Sequence, residues 1–124
     1  MTARVLLVEN DVICREDIAE TLVEHGYAVD EAGNGRDALA KLESAAEPPF
    51  VILLDLGTPI MNGWEFREAQ LSHPSHKQIP VVIMSGNTDI RTFAKELGAA
   101  GVLKKPFGLD ELLNVVSAAK SAAG

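Results

Sequence analysis

Five short runs, most of them continuously apolar, alternate with longer amphipathic stretches, and this alternation constrains the chain more than any other feature it has. The runs are Val5 to Val8, Tyr27 to Ala32, Val51 to Leu54, Ile79 to Met84 and Gly101 to Leu103. Apolar runs of this length, without polar residues at every second position, are the pattern of strands covered on both faces. The stretches between them read as helices at about Val12 to His25, Arg36 to Ala46, Trp64 to Leu71, Ile90 to Leu97 and from Leu109 onward. A strict strand and helix alternation implies a parallel sheet with right-handed crossovers and helices on both faces, an α/β doubly wound (βα)5 fold.

Local punctuation supports these boundaries. Asn10 or Asp11 can cap the first helix, which turns Ile18 and Leu22, with Val23 beside them, to an inward face before Gly26 closes it. The second helix is amphipathic through Leu39 and Leu42, and Pro48-Pro49 stops it. Ile90, Phe93, Ala94 and Leu97 recur at i, i+3, i+4 and i+7, and Leu109, Leu112, Leu113 and Val116 mark the final helix. With 124 residues and no linker or low-complexity tract, residues 1–124 are expected to form a single domain. No apolar run nears the roughly 18 residues that span a bilayer, and Arg4 precedes only the short run Val5 to Val8, which is no signal peptide. A single cysteine, Cys14, points to a reducing cytoplasm. A net charge of −7 argues against direct nucleic-acid binding.

Chemistry-bearing residues collect where the apolar runs end. Asp55 closes the third run and is followed by Leu56-Gly57-Thr58-Pro59-Ile60-Met61-Asn62-Gly63, a loop by its glycines and proline. Glu9-Asn10-Asp11 follows the first run, Ser85 the fourth and Lys105 the fifth. In open α/β sheets the carboxyl ends of the strands border the ligand crevice, so these groups are expected to meet there. Taken singly, a carboxylate at a strand exit is a loop cap, Ser85 a turn residue and Lys105 a surface lysine.

Together they resemble the receiver domains of bacterial two-component response regulators, the fold of the chemotaxis regulator, over Val5 to about Lys120. The motifs are Val-Glu-Asn-Asp at the first exit, Asp55 with Pro59-x-x-x-Gly63, Ser85, and Lys105-Pro106-Phe107. The strand order 2-1-3-4-5 comes with the resemblance, that regulator being a known example of the order. The resemblance implies that Asp55 accepts a phosphoryl group from a histidine kinase or phosphotransfer protein, with Mg2+ held by Asp55, the carbonyl of Gly57 and the Glu9 and Asn10 pair. Ser85 and Lys105 are then expected on the phosphoryl oxygens, the Lys105-Pro106 bond in cis, and Gly57 and Asn87 beside the path of a hydrolysing water. The fourth helix, fifth strand and fifth helix form the expected output face, open to a homodimer partner or another protein.

Two residues depart from the family pattern. Asn10 stands where a second acid is usual, which predicts weaker magnesium binding, with Asp11 able to compensate through water. Val102 stands where relatives carry a Tyr or Phe that swings inward, leaving Ser85, Gly86 and Asn87 through Asp89, with Pro106, as the expected switch region. A binding module without phosphotransfer is the main alternative. A phosphatase would want an acid at Gly57, and a flavin carrier would want a phosphate loop where Glu9 and Asp11 stand. His25, His73 and His76 read as solvated, Cys14 as a small buried or half-buried residue rather than a reactive thiol, Phe93 and Leu97 as core, and Trp64 as either partly exposed or a contact for a partner. The chain ends at Ala122-Ala123-Gly124, close after the last helix, which suits a stand-alone regulator or a piece of a longer protein.

Overall fold

A computed structural model describes residues 3–123; Met1, Thr2 and Gly124 lie outside the described residues. Five strands, β1 (Arg4–Val8), β2 (Ala28–Ala32), β3 (Val51–Asp55), β4 (Val81–Ser85) and β5 (Gly101–Lys104), alternate with five helices. The helices are α1 (Val12–Glu24), α2 (Gly35–Ser44), α3 (Gly63–Leu71), α4 (Ile90–Leu97) and α5 (Leu109–Ala123). The sheet is parallel throughout, in the order β2-β1-β3-β4-β5.

The central strands are buried on both faces, as continuous apolar runs require, and each face builds its own core. Leu6, Val8, Ile52, Leu54 and Ile83 face α2, α3 and α4 through Leu42, Phe66 and Ile90. Val5, Leu7, Leu53, Val82 and Met84 face α1 and α5 through Ile18, Leu22, Leu112 and Val116. Neighbouring residues of one strand therefore feed opposite cores, the period-2 geometry of the pleat.

Several helix ends carry the chemistry their sequence announces. The Asp11 side chain accepts from the Cys14 N–H, and Asn34 accepts from the Asp37 N–H. Asn62 and Glu65 form a reciprocal capping box at the start of α3. Gly98 ends α4 in the left-handed conformation at φ 65°.

The expected boundaries shift by one or two residues at most ends, with four corrections of substance. Val23 is exposed, because the inward stripe of α1 follows Ile18, Ala19 and Leu22 and leaves Val23 on the far side. Leu109 is exposed as well, one turn before the buried Leu112, and Phe93 is only half-buried, lying edge-on against Trp64. His76, expected in solvent, is 7% exposed. Its ring stacks on His73 at 4.0 Å between centroids and lies against the end of α2, and burial lowers its pKa.

Candidate functional site

The sheet order puts β1 beside β3, with β2 and α1 on one side and β4 on the other, so the crevice opens where the chain reverses its winding direction. Asp55 ends β3 and pairs in register with Met84, while Ser85 ends β4 and pairs with Lys104. Glu9 follows β1, its N–H donating to the Ala32 carbonyl at 2.9 Å. Two strand-ending residues, Asp55 and Ser85, and two that directly follow strands, Glu9 and Lys105, thus come to one edge.

Glu9 is 1% exposed. The Lys105 ammonium donates to its carboxylate and stands 3.6 Å from Asp55 Oδ2. The Lys105-Pro106 bond is cis. Asp55 Oδ1 accepts from the Gly57 N–H at 3.3 Å. Ser85 Oγ accepts from the Asn87 N–H at 3.1 Å, which leaves the hydroxyl proton available to an incoming acceptor.

Two carboxylates share one ammonium, and the imbalance appears in their proton affinities. Burial, then a hydrogen bond and repulsion from Glu9, raise the pKa of Asp55 to about 6 against the opposing pull of Lys105. Burial alone would raise Glu9 too, but hydrogen bonds with Asp55 and Lys105 outweigh it, and its pKa is lowered. The two carboxylates titrate as a pair, with Asp55 pushed toward its protonated form and Glu9 toward its ionised one. Burial works against the charge of Lys105, but Glu9 and Asp55 overcome it and raise its pKa, so the amine stays cationic. Cys14 is half-buried, and its thiol is pushed up to about 11 by burial and by Glu9, which makes it a poor nucleophile.

The donor set suits a hard divalent cation. Asp55, Glu9, the Asn10 amide and the Gly57 carbonyl offer oxygen atoms only, and excess negative charge already lies between the first two. Among the described residues no cluster of three His, Cys, Asp or Glu side chains gathers as a metal site. Asn10 is exposed at the rim. Magnesium, which keeps several waters, fits so sparse a set better than zinc or calcium.

Residues that hold the site were less legible. Arg15, one turn into α1, donates from Nη1 to the Glu9 carbonyl at 2.9 Å and faces Glu31 at 3.4 Å, which fixes the main chain that carries Glu9. The buried Thr58 hydroxyl donates to the Met61 carbonyl at 2.8 Å, and that carbonyl also accepts from the Gly35 N–H at 3.0 Å, tying the loop after β3 to α2. Gly63 is required by close approach: a Cβ there would stand 2.8 Å from Leu56 Cα and 3.2 Å from the Asp55 carbonyl. The spacing of Pro59 and Gly63 from Asp55 flagged this loop in the sequence, whereas the Arg15 contact had no sequence signal beyond its place one helical turn from the cap.

Comparison with known proteins agrees with the geometry. The model of the response regulator receiver domain matches residues 5–117. The chain is 34% identical over 121 residues to the alkaline phosphatase synthesis transcriptional regulatory protein SphR of Synechococcus elongatus, covering 90% of this chain and 46% of that one. It is 34% identical over 113 residues to the transcriptional regulatory protein PcoR of Escherichia coli, covering 89% and 48%. The chain spans about half the length of the curated relatives it matches. Among solved structures, the chemotaxis response regulator CheY4 of Vibrio cholerae superposes with a TM-score of 0.87 at 33% identity, covering 96% of this chain and 99% of that one.

Proposed function

The chain belongs to the response regulator receiver domain family, and from that premise we propose that it is a phosphorylation-operated signalling switch in which Asp55 takes a phosphoryl group from a histidine kinase or phosphotransfer protein. In the transfer, an Asp55 carboxylate oxygen bonds to phosphorus as the bond from phosphorus to the donor's imidazole nitrogen breaks, and the imidazole leaves with that electron pair. Only ionised Asp55 can attack, and with a pKa of about 6 it is mostly ionised at neutral pH. Lys105 holds a positive charge where the phosphoryl oxygens arrive, and Ser85 supplies a hydroxyl proton to one of them. Magnesium on Asp55, Glu9, Asn10 and the Gly57 carbonyl would offset the repulsion between nucleophile and phosphoryl group. The phosphoryl group is lost when water attacks phosphorus and returns Asp55 and inorganic phosphate, with exposed Gly57 and Asn87 leaving the approach open.

The observation that carries this reading is the Lys105 ammonium shared between Glu9 and Asp55 at the topological switch point. Added charge at Asp55 then biases a two-state surface, read by a partner or a second copy of the chain on α4, β5 and α5. Residues 1–124 act as one receiver unit in the cytoplasm, and no helix among the described residues is long and apolar enough to cross a membrane.

Intact-mass measurement after incubation with acetyl phosphate tests the reading. One phosphoryl group is expected on the parent with magnesium, and none with EDTA or in Asp55→Asn. An unmodified parent would shift the assignment to a protein-binding module without phosphotransfer, a reading favoured by the neutral, exposed Asn10.

A further inference from the structure

Arg67 lies outside the site, in the middle of α3, yet it is 7% exposed and satisfies its guanidinium without a carboxylate among the described residues. Its Nε donates to the Leu97 carbonyl at 2.9 Å and its Nη2 to the Gly98 carbonyl at 3.1 Å. The first is the last carbonyl of α4 and the second belongs to the glycine that caps it; neither is an acceptor inside the helix, and both lie at the negative end of its dipole. The remaining Nη1 donates to Gln70 Oε1 at 2.8 Å. Gln70 is fully buried, and its amide nitrogen donates to the carbonyls of His76 at 2.9 Å and Ile79 at 3.0 Å. One network thus joins α3, the connection into β4 and the carboxyl-terminal end of α4.

The amino-terminal end of α4 is held differently. Asp89 occupies the cap position at φ −88° and ψ 14° without a side-chain cap bond, and the Ile90 N–H reaches the Asn87 carbonyl at 3.3 Å. Ser85 Oγ accepts from the Asn87 N–H at 3.1 Å, and Asn87 Oδ1 accepts from the Asp89 N–H at 2.8 Å. These two bonds are a relay from the site hydroxyl to the first turn of the helix. At Val102, half-buried on β5 against the same core, no ring is present to lever the helix from its other side.

We propose that Arg67 makes the carboxyl-terminal end of α4 a fixed pivot, so that a rearrangement at Ser85 moves the Gly86–Asp89 loop and the first turn of α4 and stops before Leu97. The proposal rests on the switch reading for the direction of the signal, while the pin itself is independent of it. If the Ser85 side chain rotates so that Oγ itself moves toward a phosphoryl oxygen, the Asn87 N–H loses its acceptor, and the uncapped end of α4 follows because no side-chain cap or ion pair holds it among the described residues. The other end stays, because releasing it would strand a buried cation and the two carbonyls together. A partner of the activated form would then read the loop and the first turn of α4 rather than a shift of the whole helix.

Hydrogen–deuterium exchange of the full chain, with and without beryllium fluoride and magnesium as a phosphoryl mimic on Asp55, tests this in the parent and in Arg67→Met. In the parent the mimic is expected to change exchange over residues 86–92 and leave 94–98 as they were. In Arg67→Met, residues 94–98 should exchange about tenfold faster or more even without the mimic, and the mimic's effect should reach them. A change spread evenly over α4 in the parent, or exchange at 94–98 that Arg67→Met leaves untouched, overturns the pivot. A parent that does not respond to the mimic anywhere defeats the switch reading instead, and the untreated comparison of parent with variant still decides the pin. Should Arg67→Met fail to fold, Arg67→Lys, which keeps the charge but cannot fork to two carbonyls, is judged on the same residues.

Discussion

Asp55 carries opposing demands, since a nucleophile must be ionised while burial beside Glu9 resists ionisation. A carboxyl with a pKa of about 6 in the folded state, against an ordinary value near 3.9, binds its proton more tightly folded than unfolded. Its contribution to stability is therefore fully present below about pH 4 and is lost as pH rises through 4 to 6. Asp55→Asn, which cannot ionise, is expected to be more stable than the parent at pH 7.5 in metal-free buffer, by about 1–3 kcal/mol, with the difference shrinking toward pH 4; urea melts across that range check it. At Asn10 the expectation concerns the metal: Asn10→Asp adds a charge to an oxygen set that now has two carboxylates, and calorimetric titration should show magnesium bound about tenfold more tightly. Equal affinities would mean that the amide, or water held by Asp11, already suffices. The sequence pointed to Glu9, Asp55, Ser85 and Lys105, which the structure gathers at one edge of the sheet, because each lies at a strand exit. Arg15 was not legible, since its target is a main-chain carbonyl, which leaves no mark on side-chain pattern.

Among the elements, the loop from Leu56 to Asn62 is the most strained and the most informative. Ile60, β-branched and 69% exposed, sits at φ 68°, a conformation L-residues with branched side chains resist. Ile60→Gly should relieve that strain at little loss of burial, for a net gain of about 0.5–1 kcal/mol once the added freedom of the unfolded chain is subtracted. Gly63→Ala should do the reverse, costing about 1–3 kcal/mol because the new methyl meets main chain at Leu56 as well as that residue's side chain. Denaturant midpoints measure both, and a stable Gly63→Ala would show that α3 can slide away from β3. The same scale shows where sequence reading fell short. The segment containing His73 and His76 reads as polar and solvated, yet His76 is buried there, because its carbonyl accepts from Gln70 of α3 and its ring stacks on His73 rather than on apolar side chains.

The whole molecule joins stability to ligand through the crevice. A cation that binds the folded site and not the unfolded chain stabilises by mass action, about 2.7 kcal/mol at a hundred times its Kd. Magnesium should therefore raise the melting temperature of the parent and leave that of Asp55→Asn nearly unchanged, as thermal scans with magnesium or EDTA would read directly. By itself the sequence determined the parallel α/β alternation, the residues at each strand exit and the burial of the central strands on both faces, because these follow from periodicity and from residue type within a few positions. Tertiary structure alone decided that Lys105 reaches Glu9 across 96 residues, that Arg15 holds the main chain of Glu9, and that Arg67 grips the end of a helix 30 residues away. Each of those contacts depends on where two separately folded segments come to rest, and the chemistry of a guanidinium or an ammonium fits many acceptors until packing leaves it one.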